Sequence, residues 1–149
     1  PTYFEDLDVY ASYKSDEITI TAEEIRKYAN QFDPQPYHTD RSAAKDSIFG
    51  GLCASGWHTC SMTMAMMVAN MDKNGRSLGS PGIDNLRWLR PVYPGDVLSV
   101  QMEVMDTRPS KSRPNIGIVV SKVSVSNHKE EVVMEFTSNG IFSREAALG

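Results

Sequence analysis

The run SGWHTCSMTMAMMVANM, residues 55–71, decides the fold of this 149-residue chain. Ser55 is a residue type that favours the N-cap position, and apolar side chains then occupy nearly every face of the segment. A helix that is apolar on most faces is buried on most faces. The run therefore predicts a central buried helix from about Gly56 to Met71. Its methionines suit either a packed core or an adaptable ligand surface, and we adopt core packing.

The chain after Gly82 has the character of a β-sheet. Short apolar runs with partial alternation, separated by turn residues, are typical of consecutive antiparallel strands. The pattern predicts four strands, at Ile83–Leu89, Val97–Asp106, Ile116–Ser126 and Glu131–Ser143. Residues 127–130 are predicted to form a hairpin loop between the last two strands.

The chain before the central helix is more mixed. Residues 1–14 show no clear period and predict an irregular entry segment, and residues 17–20 predict a short strand. Thr21 followed by Glu24 forms a capping box that begins a helix at Ala22, and Pro34 ends it. The order of elements predicts one α+β domain over residues 1–149, with its core at about 17–143 and a sheet wrapped around the long helix.

Composition excludes several classes of protein. The net charge of −4 and the pI near 5.3 argue against a nucleic-acid binder. No apolar run approaches the roughly 20 residues that span a bilayer, and no secretory signal is visible. The two cysteines, Cys53 and Cys60, show no disulfide framework, so we expect a soluble, cytoplasmic protein.

The stretch FDPQPYH, residues 32–38, holds the candidate chemistry. Asp33 and His38 form a pair that can move protons near neutral pH. Pro34 and Pro36 stiffen the backbone between them and predict a defined bend rather than a helical turn. The alternative is an ordinary loop that ends a helix, since both residue types are common there.

Three segments in order carry a resemblance to a known family. Residues 33–38, DPQPYH, resemble the hydratase motif of the MaoC-like, or R-specific enoyl-CoA hydratase, branch of the hot-dog superfamily, which runs acid, any residue, Asn, Pro, aliphatic, His. Ser55-Gly56 stands where that family has His-Gly before its central helix. Residues 87–96, RWLRPVYPGD, resemble its strand and turn. The resemblance covers residues 17–143, and the departures at Gln35, Tyr37 and Ser55 concern the substrate more than the reaction.

The resemblance implies reversible addition of water to a trans-2-enoyl-CoA thioester, giving a 3-hydroxyacyl-CoA. It implies Asp33 and His38 as the acid-base pair, in which either residue can play either part; we favour Asp33 as the main base, with His38 positioning the water and sharing its proton. It also implies the N–H of Gly56 as a donor to the thioester oxygen. The alternative for Gly56 is a plain helix-start glycine. Contacts with the substrate are expected from Gln35, Tyr37 and Ser55. Contacts with its phosphates are expected from Arg87, Arg90 and Arg113. The alternative for each arginine is a surface residue that binds no ligand.

The resemblance implies no cofactor beyond coenzyme A as part of the substrate, and no metal. Hot-dog relatives imply a homodimer or a higher homo-oligomer with substrate near the subunit boundary. An acyl-CoA thioesterase and a non-catalytic acyl-thioester binding module remain as alternative functions. Of the other histidines, His58 is predicted to be a hydrogen-bonded structural residue and His128 to be exposed.

Overall fold

The computed structural model describes residues 3–70 and 77–145. A short 3-10 helix at Phe4–Asp6 precedes four α-helices: α1 Ala22–Phe32, α2 Pro36–Thr39, α3 Arg41–Lys45 and α4 Gly56–Ala69. Seven strands complete the fold: β1 Ser12–Lys14, β2 Ile18–Thr19, β3 Ser77–Gly79, β4 Ile83–Trp88, β5 Val97–Pro109, β6 Ile116–Ser126 and β7 Val132–Ser143. None of the helices in the described ranges has the length and apolar content needed to cross a bilayer.

The strands form one antiparallel sheet in the order β1-β5-β6-β7-β3, with β2 also paired to β5 and β4 also paired to β7. The three longest strands are neighbours, and β6 pairs along its whole length with β7. Helix α4 packs against this sheet. The sequence prediction of an α+β hot-dog domain, with an antiparallel sheet around a long helix, is confirmed.

Alternating side chains of the long strands fill the space beneath α4. Along β6 the buried residues recur at every second position, which is the period of a strand with one face in the core. The cluster includes Leu98, Val100, Val123, Val125, Val133, Met134 and Phe136 from the sheet, with Ile25 from α1 and Met66 from α4. This core joins α1 and α4 to the sheet.

The N-terminal region is more ordered than the sequence predicted. The expectation of an irregular segment over residues 1–14 is wrong, because Phe4–Asp6 is helical and Ser12–Lys14 pairs with β5. Phe4 packs so closely on Gly117 that a side chain there would collide with its ring. Short strand β3 was not predicted either. These elements depend on distant partners and leave little local signal.

The helix and strand boundaries otherwise agree to within three residues. Strand β6 has the predicted bounds, and β5 runs three residues beyond the predicted Asp106, to Pro109. Helix α4 begins at Gly56 as predicted and is described to Ala69. The predicted end at Met71 lies outside the described residues.

One face of α4 is exposed, which corrects the prediction that the helix is buried on most faces. Trp57, Met64 and Val68 are 58%, 56% and 54% exposed, and their spacing puts them on one side of the helix. The opposite side, with His58, Thr59, Thr63 and Met66, is buried. Apolar composition alone could not tell a helix that is buried by its own chain from one that presents an apolar stripe outward.

Candidate active site

Helix α1 delivers Asp33 to the site. The capping box predicted at its start is present, since Thr21 accepts the N–H of Glu24 and Glu24 accepts the N–H of Thr21. The helix ends at Phe32 and Asp33 follows as its C-cap, with its N–H donating to Ala29 O at 2.8 Å. Ala29 is fully buried, so the position of Asp33 is tied to the core.

His38 lies in a helical turn. The sequence predicted a bend rather than a helical turn between Asp33 and His38, and this is wrong, because Pro36–Thr39 forms the short helix α2. Pro36 occupies its first turn, where the missing N–H of proline leaves no donor unsatisfied. The prolines fix the backbone as expected, but the second one begins a helix.

The two ring nitrogens of His38 have different partners. Nδ1 lies 2.6 Å from the carbonyl oxygen of Cys53. A carbonyl only accepts, so Nδ1 carries the proton of this bond. Nε2 lies 3.5 Å from Oδ2 of Asp33. The imidazole is 6% exposed and its orientation is therefore fixed, with Nε2 directed at the carboxylate.

Both oxygens of the Asp33 carboxylate accept hydrogen bonds. Gln35 Nε2 donates to Oδ1 and Ser55 Oγ donates to Oδ2, each at 2.7 Å. Burial by itself would raise the pKa of Asp33, but the bonds from Ser55 and Gln35 and the proximity of His38 outweigh it and lower the pKa below the usual 3.8. Asp33 is therefore an anion at neutral pH.

The head of α4 faces the same place. Ser55 occupies the N-cap position, but its hydroxyl makes no cap bond and donates to Asp33. The N–H groups of His58 and Thr59 bond to Ser55 O, whereas no acceptor for the N–H groups of Gly56 and Trp57 lies among residues 3–70 and 77–145. Free N–H groups at a helix start are a ready site for anions.

Gly56 is a glycine for steric reasons. A Cβ at this position would lie 2.5 Å from the indole ring of Trp88, far inside van der Waals contact. The same indole donates its Nε1–H to Gly56 O at 2.9 Å. The first residue of α4 and the end of β4 are thus locked together, and Gly56 is more than a plain helix-start glycine.

A cavity of about 420 Å³ brings these groups together. It is open to solvent on one side and lined by Asp33, Tyr37, His38, Phe49, Cys53, Ala54, Gly56, Trp57, Thr59, Trp88, Leu89, Arg90, Pro91, Val92 and Val133. The walls are mostly apolar and aromatic, with the carboxylate, the imidazole and the head of α4 at one place. This composition is typical of a pocket for a small organic substrate.

The structure brings some of the predicted contact residues to the cavity surface. Tyr37 lines it, and its hydroxyl donates to Gln35 Oε1. The Gln35 and Ser55 side chains donate to Asp33 and do not line the cavity. Ser55 is completely buried. Both act on Asp33 directly in this structure.

The three predicted arginines lie in different places. Arg90 lines the cavity, is exposed, and pairs with Glu131 at 2.9 Å. Arg87 is exposed on β4 opposite Glu135. Arg113 lies in the loop between β5 and β6, beside the Ser143 end of β7, whereas the cavity is at the opposite end of that strand, near Val133. Within one chain, the structure brings only Arg90 of these three to the cavity.

Sequence reasoning missed Trp88 and Cys53 as parts of the site. Trp88 stood inside the quoted strand-and-turn motif, but its contact with Gly56 joins residues 32 apart and left no signal in the sequence. Cys53 orients His38 through its carbonyl oxygen, a role that any residue can fill and that leaves no trace in the sequence. Burial raises the pKa of the Cys53 thiol to about 11.

The remaining histidines divide as follows. His128 is exposed, as predicted, and accepts the N–H of Val97 at 3.3 Å. His58 is buried and stacks on Tyr28, with ring centroids 4.5 Å apart. The prediction that His58 is hydrogen-bonded fails at Nδ1, which has no partner in the part of the chain that the structure describes.

Comparison with known protein sequences agrees with the fold. The family model described as "MaoC like domain" matches residues 9–129. The chain is 28% identical to the uncharacterized protein YdeM of Bacillus subtilis over 123 residues, which cover 83% of this chain and 86% of YdeM. It is 31% identical to Protein MaoC of Klebsiella aerogenes over 102 residues, 67% of this chain but 30% of that protein. The chain therefore corresponds to one part of that longer relative.

Solved structures resemble the chain over nearly its whole length. A MaoC-like dehydratase from Rhodospirillum rubrum superposes with a TM-score of 0.90 at 37% identity, covering 97% of this chain and 99% of its own. The R-hydratase PhaJ1 from Pseudomonas aeruginosa superposes with a TM-score of 0.74 at 23% identity, covering 96% and 86%. At 23% identity, the similarity to the Pseudomonas aeruginosa structure concerns the fold alone.

Proposed function

The chain belongs to the MaoC-like dehydratase family, and from that premise we propose that it catalyses the reversible addition of water to a trans-2-enoyl-CoA. The product is a 3-hydroxyacyl-CoA. The observation that carries the proposal is the convergence of Asp33, His38 Nε2 and the N–H of Gly56 on one apolar cavity. These are the three groups that hydration of a conjugated thioester requires.

The thioester oxygen of the substrate accepts from the N–H of Gly56. Addition of hydroxide at C3 pushes the electrons of the double bond toward the carbonyl, so negative charge develops on this oxygen. The free N–H groups and the positive end of the α4 dipole stabilise that charge. The first turn of α4 contains no acidic side chain that would compete for the same position.

We assign the proton transfer to His38 Nε2, with Asp33 as the anion that holds the attacking water. Both Asp33 oxygens already accept hydrogen bonds, which lowers the proton affinity of the carboxylate. An imidazole is intrinsically more basic than a carboxylate. Water loses a proton to Nε2 as its oxygen bonds to C3, and the pair then returns a proton to C2, so that H and OH are added in total. The sequence had favoured Asp33 as the main base.

A thioesterase is the competing enzyme, and a binding module without turnover is the competing non-enzyme. We separate them with a panel of trans-2-enoyl-CoAs and saturated acyl-CoAs of increasing length. Loss of the conjugated enoyl absorbance reports hydration, and a thiol reagent reports release of free coenzyme A. Release of thiol without loss of the enoyl chromophore would contradict a hydratase. Binding without either signal would leave a binding module.

The decisive variant is Asp33→Asn. Removal of the anion that orders the water is expected to lower hydration by at least about 100-fold, the usual range for a positioned acid-base group. The matched control is Asp40→Asn, because Asp40 caps α3 outside the cavity and Asn is an equally good cap. The Asp40 variant is expected to retain wild-type turnover. Equal turnover of Asp33→Asn and the wild type would refute the proposed site.

We also propose that two copies associate through the exposed apolar face of α4. An exposed apolar stripe on this face consists of Trp57, Met64 and Val68, and an exposed apolar patch favours association. Because Trp57 also lines the cavity, a second copy on this face would border the substrate. Light scattering after size exclusion tests this. Met64→Glu is expected to give a monomer, whereas Ile48→Glu, at a 97% exposed position outside the stripe, leaves the dimer intact. A monomeric wild type would rule out this proposal.

A further inference from the structure

Ser55 stands at a position where serine normally does something else. At the N-cap of a helix, a serine hydroxyl accepts the N–H of the second or third helical residue. Ser55 has the N-cap position of α4 and an extended ψ of 140°, yet its hydroxyl makes no such bond. The hydroxyl donates instead to Oδ2 of Asp33 at 2.7 Å, across 22 residues of sequence.

The Ser55 end of this bond is buried. Ser55 is 0% exposed, whereas the Asp33 side chain is 17% exposed. A hydroxyl has one proton, and that proton is used on the carboxylate. Hydrogen bonds to a charged acceptor are roughly twice as strong as neutral ones. The bond therefore favours the anionic form of Asp33 and fixes one of its two oxygens.

The head of α4 lies beside the carboxylate that this bond holds. The Ser55 hydroxyl makes no cap bond, and the N–H groups of Gly56 and Trp57 have no acceptor in the described part of the chain. The Ser55–Asp33 bond therefore links the anion to the end of the helix that carries these free donors.

We propose that Ser55 is a positioning residue that ties the Asp33 carboxylate to the head of α4, so that the anion and the free N–H groups keep one fixed separation around the substrate. Ser55 acts through Asp33 and does not contact the substrate itself. The role belongs to this chain's serine, because the His-Gly pattern of the family has a different side chain here. The proposal deepens the proposed function and rests on it only for its kinetic consequence.

The first test does not need turnover. We compare the thermal unfolding midpoints of wild type and Ser55→Ala between pH 3 and pH 7. The folded-state pKa of Asp33 is lowered, so its contribution to stability is present above about pH 4 and is lost as pH falls through the folded pKa. The difference between the two proteins is therefore expected to be largest near pH 7 and to shrink toward pH 3. His38 is the other titratable group that faces Asp33, and it is present in both proteins.

Two controls separate positioning from simple packing. Thr63→Val removes another buried hydroxyl of α4, one that donates to the neutral carbonyl of Thr59, so its effect on the midpoint is expected to be the same at every pH. In an Asp33→Asn background, Ser55→Ala is expected to lose its pH dependence. A difference between wild type and Ser55→Ala that stays constant from pH 3 to pH 7 would overturn the proposal.

The second test is kinetic, with a short trans-2-enoyl-CoA as substrate. Ser55→Ala is expected to lower kcat about tenfold or more while KM stays within about twofold. The loss of a hydrogen bond to a charged group displaces Asp33 slightly, and this displacement weakens stabilisation of the transition state rather than binding of the substrate. Ser55→Thr, which keeps the hydroxyl, is expected to recover most of the kcat. Equal kcat in wild type and Ser55→Ala would also overturn the proposal. A wild type without hydratase activity but with the pH-dependent stability difference would refute the proposed function and leave the Ser55–Asp33 role intact.

Discussion

Helices α1 and α4 begin with similar residue types, but the hydrogen bonds at the two helix starts differ. In α1, Thr21 caps the N–H of Glu24 at 3.2 Å and Glu24 bonds back to Thr21. In α4, Ser55 occupies the cap position and donates to Asp33, and His58 occupies the position of Glu24 with its Nδ1 unpaired in the described ranges. The start of α1 is capped by side chains and carries two acidic residues in its first turn, whereas the start of α4 has no side-chain cap and no acidic residue there.

The two helix starts differ in charge and in what they face. The exposed box of α1 pairs the N–H groups of Thr21 and Glu24, and Glu23 and Glu24 place two carboxylates in its first turn, which disfavours an anionic ligand there. At α4 the free donors lie at the wall of a cavity that also holds an anion and an imidazole. An open helix start is unfavourable without a partner, which is the physical reason to expect a substrate oxygen there.

The substitution with the largest expected effect is Gly56→Ala. The added Cβ would lie 2.5 Å from the Trp88 ring, so either the indole or the head of α4 must move. A displacement of the N–H donors by about 1 Å can lower a rate about 100-fold, and we expect at least that loss in hydration. Initial rates with an enoyl-CoA and the fluorescence of the tryptophans measure the two consequences.

Gly51→Ala is the matched control for this change. A Cβ at Gly51 would meet only Tyr93 Cε1 at 4.0 Å, an ordinary contact. We expect it to retain activity. If Gly56→Ala were as active as Gly51→Ala, the open head of α4 would have no part in catalysis, and the difference between the two helices would be structural only.

Thr21→Ala tests the closed end. Loss of the cap is expected to lower the free energy of unfolding by about 1 kcal/mol, the usual value for an N-cap threonine. The rate constant for hydration should not change, because α1 is closed at the end away from Asp33. Chemical denaturation and kinetics on the same sample check both statements. A fall in kcat under conditions where the variant remains folded would show that the two helix starts are coupled.

His58→Phe gives the smallest expected effect. Burial lowers the pKa of His58 below 6.5, against a smaller opposing attraction from Glu24. The unfolded chain therefore binds a proton more readily than the folded one, and wild-type stability falls as pH drops below 6.5. From pH 8 to pH 6 this loss is at most about 0.8 kcal/mol for one histidine, and the Phe variant lacks it.

The measurement for His58 is the difference in unfolding free energy between the two proteins at pH 8 and pH 6. Phenylalanine keeps a ring that can stack on Tyr28, so a constant offset between the proteins has no bearing on the prediction. The informative quantity is the change of that offset with pH. An offset equal at the two pH values would mean that the buried imidazole does not resist protonation.

Much of the molecule was readable from local sequence. The capping box at Thr21, the start of α4 at Gly56 and the bounds of β6 follow from caps and periodicity, which act within a few residues. Three motifs in order gave the family and the hot-dog fold. The proximity of Asp33 and His38 was predicted as well, because the two residues lie five apart in one stiffened segment.

Other features depended on contacts between distant parts of the chain. Strand β1 exists because β5 offers it an edge, and the role of Trp88 depends on its contact with Gly56, 32 residues away. The exposure of the α4 stripe depends on where the sheet stops covering the helix. None of these has a local signature in a single sequence.

The amino-acid sequence is enough to predict Asp33, His38 and Gly56 as site residues, since an acid, an imidazole and a helix-start glycine in that order are a property of the chain. The tertiary structure alone decided how they are used. It turned the Ser55 hydroxyl away from its own helix and onto Asp33, and it set His38 by a backbone carbonyl. The Ser55 hydroxyl can bond to its own helix or to a nearby carboxylate. Only the packing of α1 against α4 brings the Asp33 carboxylate within reach of that serine.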